Sequence, residues 1–129
     1  MQEFRNAVES RDFGGLGALF TDDVVFRSPV VHAPYQGRDQ AMVLLRAVAE
    51  VFEDFRYTRE IGAPGAADSA LVFRARVGDR EVEGCDFIHR GEEGLIDELF
   101  VMVRPLTGVM ALAEAMKQQL ALTDNGASG

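Results

Sequence analysis

The chain has 129 residues, 47% hydrophobic and 26% charged, a balance that bounds it to one soluble globular domain with one core. A formal net charge of −8 argues against an electrostatic grip on nucleic acid or an anionic membrane and leaves neutral or cationic small molecules, or a protein, as partners. One cysteine excludes an internal disulfide and a Cys-based zinc site, and two histidines cannot build a His-rich metal site, so no cofactor is expected.

The N-terminus, "MQEFRNAVESRDF", lacks a basic start followed by an apolar run, and no stretch approaches membrane-spanning length. A cytoplasmic location is the expectation. "EFRNAVESRDF" reads as a short helix with Phe4, Ala7 and Val8 on one stripe. "GGLGALF" reads as a second, weak helix burying Leu16, Leu19 and Phe20, because its glycines oppose helix formation. "VVFRS" is a strand stopped by Pro29, and "VVHAPYQG" is an irregular loop.

Asp39 then opens the most regular helix, where Ala41, Leu44, Leu45, Val48, Val51 and Phe52 fall at helical spacing. "DFRYTREI" alternates, with Phe55, Tyr57 and Ile61 on one face. "ALVFRARV" alternates with Leu71, Phe73, Ala75 and Val77 on one face, and Gly78-Asp79 is a hairpin signal into the next strand. "GEEG" closes a further hairpin into "LIDELFVMVR", apolar on both sides: Leu99, Val101 and Val103 against Ile96, Phe100 and Met102. Such a strand needs cover on both faces, so a homodimer through the outer sheet face is expected. "LTGVMALAEAMKQQLAL" is a last helix, giving one domain over 1–122 and a flexible tail over 123–129. The order is α-α-β-α-β-β-β-β and a C-terminal helix, an α+β arrangement of sheet and helices.

"VEGCDFIH" holds the chemical signal. In a strand Val82, Gly84, Asp86 and Ile88 share one face, and Glu83, Cys85, Phe87 and His89 the other. Asp86 therefore sits on the oily side, where loss of water raises a carboxyl pKa towards the range a general acid or base needs. Its plainer role is to satisfy buried donors. Asp86 and His89 point to opposite faces and form no dyad. Asp22-Asp23 and Asp97-Glu98 read as solvated carboxylates. No metal spacing, phosphate-cradling glycine loop or GxSxG nucleophile elbow is present.

The stretches "LFTDDVVFRSPV", "PYQGRDQAMVLL" and "DFIHRGEEGLIDELFVMVRP", in this order, make the chain from about Phe4 to Pro105 resemble the nuclear transport factor 2-like superfamily, in its SnoaL-like polyketide cyclase and ketosteroid isomerase branches. The resemblance implies a cone: a curved mixed sheet around a long helix, with an apolar pocket open at one end. Asp86 falls where ketosteroid isomerases keep a protonated Asp that donates to a developing oxyanion. The isomerase general base corresponds to Ser28 and its first-helix Tyr to Phe4, which argues against the familial isomerase mechanism.

The resulting expectation is a cofactor-independent enzyme acting next to a carbonyl of an apolar, cyclic small molecule. Asp86 would be the acid/base, with His32 and Tyr57 orienting the carbonyl. His32 can equally be an exposed loop imidazole, and Tyr57 a core side chain with a satisfied tip. Tyr35, Phe73, Ile88 and Val101 are the expected ligand-binding residues. The alternatives are a pocket that binds an apolar ligand without chemistry, and a filled cone that serves only as a structural dimer.

Overall fold

The structure, a computed structural model, describes residues 2–128, with side chains described through residue 122. Helices α1 (Gln2–Glu9) and α2 (Phe13–Gly17) precede β1 (Phe20–Arg27), the two-residue β2 (Tyr35–Gln36) and helix α3 (Arg38–Val51). Strands β3 (Glu53–Ile61), β4 (Asp68–Val77), β5 (Arg80–Arg90) and β6 (Ile96–Arg104) follow, then helix α4 (Leu106–Ser128). The six strands form one sheet in the order β2-β1-β6-β5-β4-β3, with β1 and β6 parallel and every other pair antiparallel.

The expected α+β cone is the fold observed. Two elements differ from the sequence reading. Strand β1 starts at Phe20, which pairs with Ile96 while the Ile96 amide donates to the Leu19 carbonyl. The loop expected over "VVHAPYQG" contributes β2, whose Tyr35 and Gln36 pair with Phe26 and Val25. Helix α4 continues past the expected Leu122. The tail expected over 123–129 lies outside the residues whose side chains are described.

Gly37, at φ 98, precedes α3, and Asp39 sits in the first turn against the positive end of the helix dipole. On the inner face of the sheet Leu71, Phe73, Ala75 and Val77 of β4 and Val82, Gly84, Asp86 and Ile88 of β5 are buried. On the outer face Phe87 is exposed and Glu83, Cys85 and His89 are half-buried. The period-two reading of both strands thus holds residue by residue.

Bulges break that alternation elsewhere. Between Tyr57↔Phe73 and Arg59↔Val72 strand β3 carries an extra residue, so Ile61 pairs with Ala70 on the outer face and is exposed instead of sharing the face of Tyr57. On β6, His89↔Glu98 is followed by Arg90↔Ile96; the extra Asp97 turns Ile96 inward to join Leu99 in the core, not Phe100 and Met102 outside. A one-residue insertion exchanges the faces of everything beyond it, and it also bends and twists the strand. Two more irregularities lie between Glu53 and Arg56 of β3 and between Phe20 and Val25 of β1. Together they curl the sheet around α3 and α4, which lie on its concave side.

At the centre of the inner face, a Cβ on Gly84 would collide with the Phe73 ring and stand 2.6 Å from the Met102 carbonyl oxygen. Glycine here lets the Phe73 ring lie against the β5 backbone. Gly84→Ala should lower unfolding stability by about 1–3 kcal/mol, the usual cost of forcing atoms into a packed interior. Urea denaturation measures it, and an unchanged midpoint would show that Phe73 has room to retreat.

Candidate active site

A cavity of about 560 Å³ lies between the sheet and the helices. That volume falls within the usual range of small-molecule sites. Phe52, Phe55 and Phe73 line one wall, with the Phe55 ring stacked on Phe73 at 5.0 Å and edge-on to Tyr57 at 5.0 Å. Phe4, Val8 and Phe13 enter from the N-terminal helices and the stretch between Leu44 and Val48 from α3. The alternating pattern of β4 supplies Phe73, and the apolar stripe of α3 supplies Leu44 and Val48. Neither would meet the other without the curl of the sheet.

Asp86 borders this cavity and is only 8% exposed. Tyr57 Oη donates to its Oδ2 at 2.9 Å. Among the described residues no lysine, arginine or histidine pairs with it. Burial lifts its pKa from 3.8 to about 7, and the Tyr57 hydrogen bond opposes that rise by favouring the charged form. Burial and the neighbouring carboxylate push the Tyr57 hydroxyl far above its ordinary value, so it stays protonated and remains a donor. A carboxyl group near neutrality exists in both protonation states at physiological pH. It can therefore take a proton and return it.

Of the expected site residues, Asp86, Tyr57, Tyr35, Phe73 and Val101 all border the cavity. His32 and Ile88 do not. Ile88 lies in the packed core, paired with Leu99 across the strands. His32 is exposed, because the loop folds over Ser28: its Oγ accepts the amides of Val30 at 3.1 Å and Val31 at 3.0 Å. That turn brings Ser28, Val30 and Val31 to the cavity. The apolar character of the two valines was no signal, since loop valines read as filler. Tyr57, expected to orient a substrate carbonyl, spends its hydroxyl proton on Asp86.

On the outer face His89 Nδ1 lies 2.6 Å from Asp97 Oδ1, and this hydrogen bond holds the imidazole above its usual pKa. Asp97 is thus engaged, as is Glu98, which accepts from Arg27 at 3.0 Å; both carboxylates stay partly exposed, as expected, and each has a partner as well. Burial pushes the Cys85 thiol up, the opposite of what a nucleophilic thiolate needs. Among the described residues no three His, Cys, Asp or Glu side chains gather as metal ligands, and no helix is long and apolar enough to cross a membrane.

Residues 1–99 match the family model of the SnoaL-like domain. The chain is similar to a solved steroid delta-isomerase from Pseudomonas aeruginosa, at 41% identity and TM-score 0.90, over 95% of this chain and 89% of that one. It is also similar to an uncharacterized protein with a cystatin-like fold from Silicibacter pomeroyi, at 34% identity and TM-score 0.87, over 93% of this chain and 84% of the other. The epoxide hydrolase/cyclase-like enzyme SalBIII, of pyran ring formation in the polyether salinomycin, shares the fold at 17% identity and TM-score 0.66, over 83% and 88% of the two chains. No curated protein matches. A family match over residues 1–99, together with a relative sharing 41% of its residues along nearly the whole chain, makes this protein a member of the SnoaL-like domain family.

Proposed function

We propose that the protein is a cofactor-independent enzyme that moves a proton next to a carbonyl of an apolar, cyclic small molecule, with Asp86 as general base and then general acid. The observation that carries this reading is a carboxyl group poised near neutrality, held by Tyr57 and open to an apolar cavity. Its carboxylate would remove the proton from the carbon beside the carbonyl, leaving an enolate, and return it to the same or a neighbouring carbon. Tyr57 is the positioning residue, since its hydroxyl keeps the carboxylate aimed and partly ionised. Isomerisation, epimerisation and an intramolecular aldol closure all share this first step.

Ser28 and Phe4, which the resemblance matches to the isomerase base and tyrosine, both border the cavity. Asp86 is left to act as the sole unpaired carboxyl there. The other carboxylates bordering the cavity are tied up: Glu9 by Arg5 at 3.0 Å and Asp54 by Arg76 at 2.7 Å. The same substitutions favour a second reading, a pocket that holds an apolar ligand without chemistry. A bound ligand that raises thermal stability yet is never consumed or exchanged would establish it.

The outer face of β5 and β6 presents Cys85, Phe87, Phe100 and Met102 as one block, with the Phe87 and Phe100 rings edge-to-face at 6.2 Å. Phe87 and Met102 are 42% and 51% exposed. A second copy of the chain is the partner we assign to this face.

Wild-type protein should catalyse exchange of the protons beside the carbonyl of 2-tetralone or 5-androstene-3,17-dione in D2O, followed by NMR. Asp86→Asn should lose this exchange; equal rates would end the acid/base assignment. As a base, Asp86 should give a rate that rises with pH through about 7, and Tyr57→Phe should move that midpoint upward because the bond favouring the charged form is gone. The folded chain also keeps a proton that the unfolded chain releases between the two pKa values. Stability should therefore fall as pH rises from about 4 to about 7 and level off above, a slope absent from Asp86→Asn when urea midpoints are compared. Light scattering at micromolar concentration should show a dimer for wild-type protein and a monomer for Phe87→Lys.

A further inference from the structure

Helix α4 meets the cavity with Ala113, Met116, Lys117 and Leu120. These fall at i, i+3, i+4 and i+7, one stripe of a helix, and on such a stripe an apolar side chain is the rule. Lys117 breaks it, as Asp86 breaks the apolar face of β5. It is also the only lysine in the chain, the other cationic side chains being arginines.

The charges around the cavity make Lys117 distinct. Glu9 is paired with Arg5 at 3.0 Å, Asp54 with Arg76 at 2.7 Å, and Arg11 with Glu50 at 2.9 Å. Lys117 forms no ion pair or hydrogen bond among the described residues, although Glu114 lies one turn before it and accepts from Gln118 at 3.1 Å. Asp86 is buried and Lys117 exposed, so the two unpaired ionisable groups lie at the inner and outer limits of the same space. With a net charge of −8 the surface as a whole disfavours anions. A local cation at the mouth is what admits one.

We infer that the natural ligand is an amphiphilic anion. Its apolar, ring-bearing body fills the cavity with the carbonyl towards Asp86, and an anionic group, such as a carboxylate, meets the Lys117 ammonium at the mouth. Lys117 is then a specificity-determining residue that takes no part in the proton transfer. An ammonium suits this position, since its flexible stem covers apolar surface while the head stays in water. The inference rests on the reading of the cavity as a ligand site.

The test compares 3-oxoandrost-4-ene-17β-carboxylate with its methyl ester, two probes that differ only in the charge, by isothermal titration calorimetry at low salt. Wild-type protein should prefer the carboxylate by about fivefold, the size of an exposed ion pair. Lys117→Met should abolish the preference, read as the ratio of carboxylate to ester affinity within each protein, and Lys117→Glu should reverse it. Raising the salt concentration should shrink the preferences of wild-type protein and Lys117→Glu and leave Lys117→Met unchanged. Equal preference in wild-type protein and Lys117→Met would overturn the assignment of Lys117 and leave the cavity reading intact. Failure of both probes to bind any of the three proteins would overturn the cavity reading, and this inference with it.

Discussion

Desolvation of the Asp86 carboxyl group is the constraint on which the rest of the structure turns. Moving a charged carboxylate out of water is costly, and no cation among the described residues offsets the cost here. The chain meets it in two ways: the group takes up a proton near neutrality, and Tyr57 donates one hydrogen bond to it. Both solutions need a rigid apolar surround. Phe73 lies against Gly84 of the same strand pair, and Phe55 stacks on Phe73 while meeting Tyr57 edge-on. The aromatic wall thus shields the carboxyl from water and fixes the phenol that holds it.

The hollow beside Asp86 exists because the sheet is bent. A flat sheet of these strands would press α3 and α4 directly onto the inner face and leave no void. Extra residues in β3 and β6 bend and twist the ladder, and the concave side they create is deeper than the helices can fill. The remaining space is closed at its rim by α1, α2, the turn built on Ser28 and the stripe of α4. Apolar residues cover most of that surface, so each polar group that borders it acquires a meaning that a surface residue would lack.

Within the SnoaL-like family this cavity is chemically sparse. Its buried polar groups come down to one carboxyl, Asp86, with one supporting hydroxyl, Tyr57, while Ser28 and Phe4 border the same space. Ser28 directs its oxygen to the amides of its own loop. A single group that both accepts and returns a proton works best when its pKa matches the ambient pH, and burial sets it there. Lys117 of α4 borders the same space, and among the described residues its charge has no partner.

Alternation at period two along "ALVFRARV" and "VEGCDFIH" and helical spacing from Ala41 to Phe52 are local properties of the chain. They determined the inner and outer faces of β4 and β5, the core stripe of α3, and the burial of Asp86 on an apolar face. The marks that resemble the superfamily carried the cone. What the sequence could not disclose was where the alternation slips, because a bulge is decided by pairing with the neighbouring strand and leaves no trace in the residues themselves. Ile61 and Ile96 therefore changed faces, and β2 emerged from a stretch that reads as loop. The same limit applied to the site. Whether His32 reaches the cavity depended on the turn around Ser28, and the partner of Asp86 depended on which side chain of β3, two strands away from β5, arrived opposite it. Periodicity chose the face on which the carboxyl lies; only the folded chain, by bringing distant strands into register, chose Tyr57 to hold it and left an open space beside it.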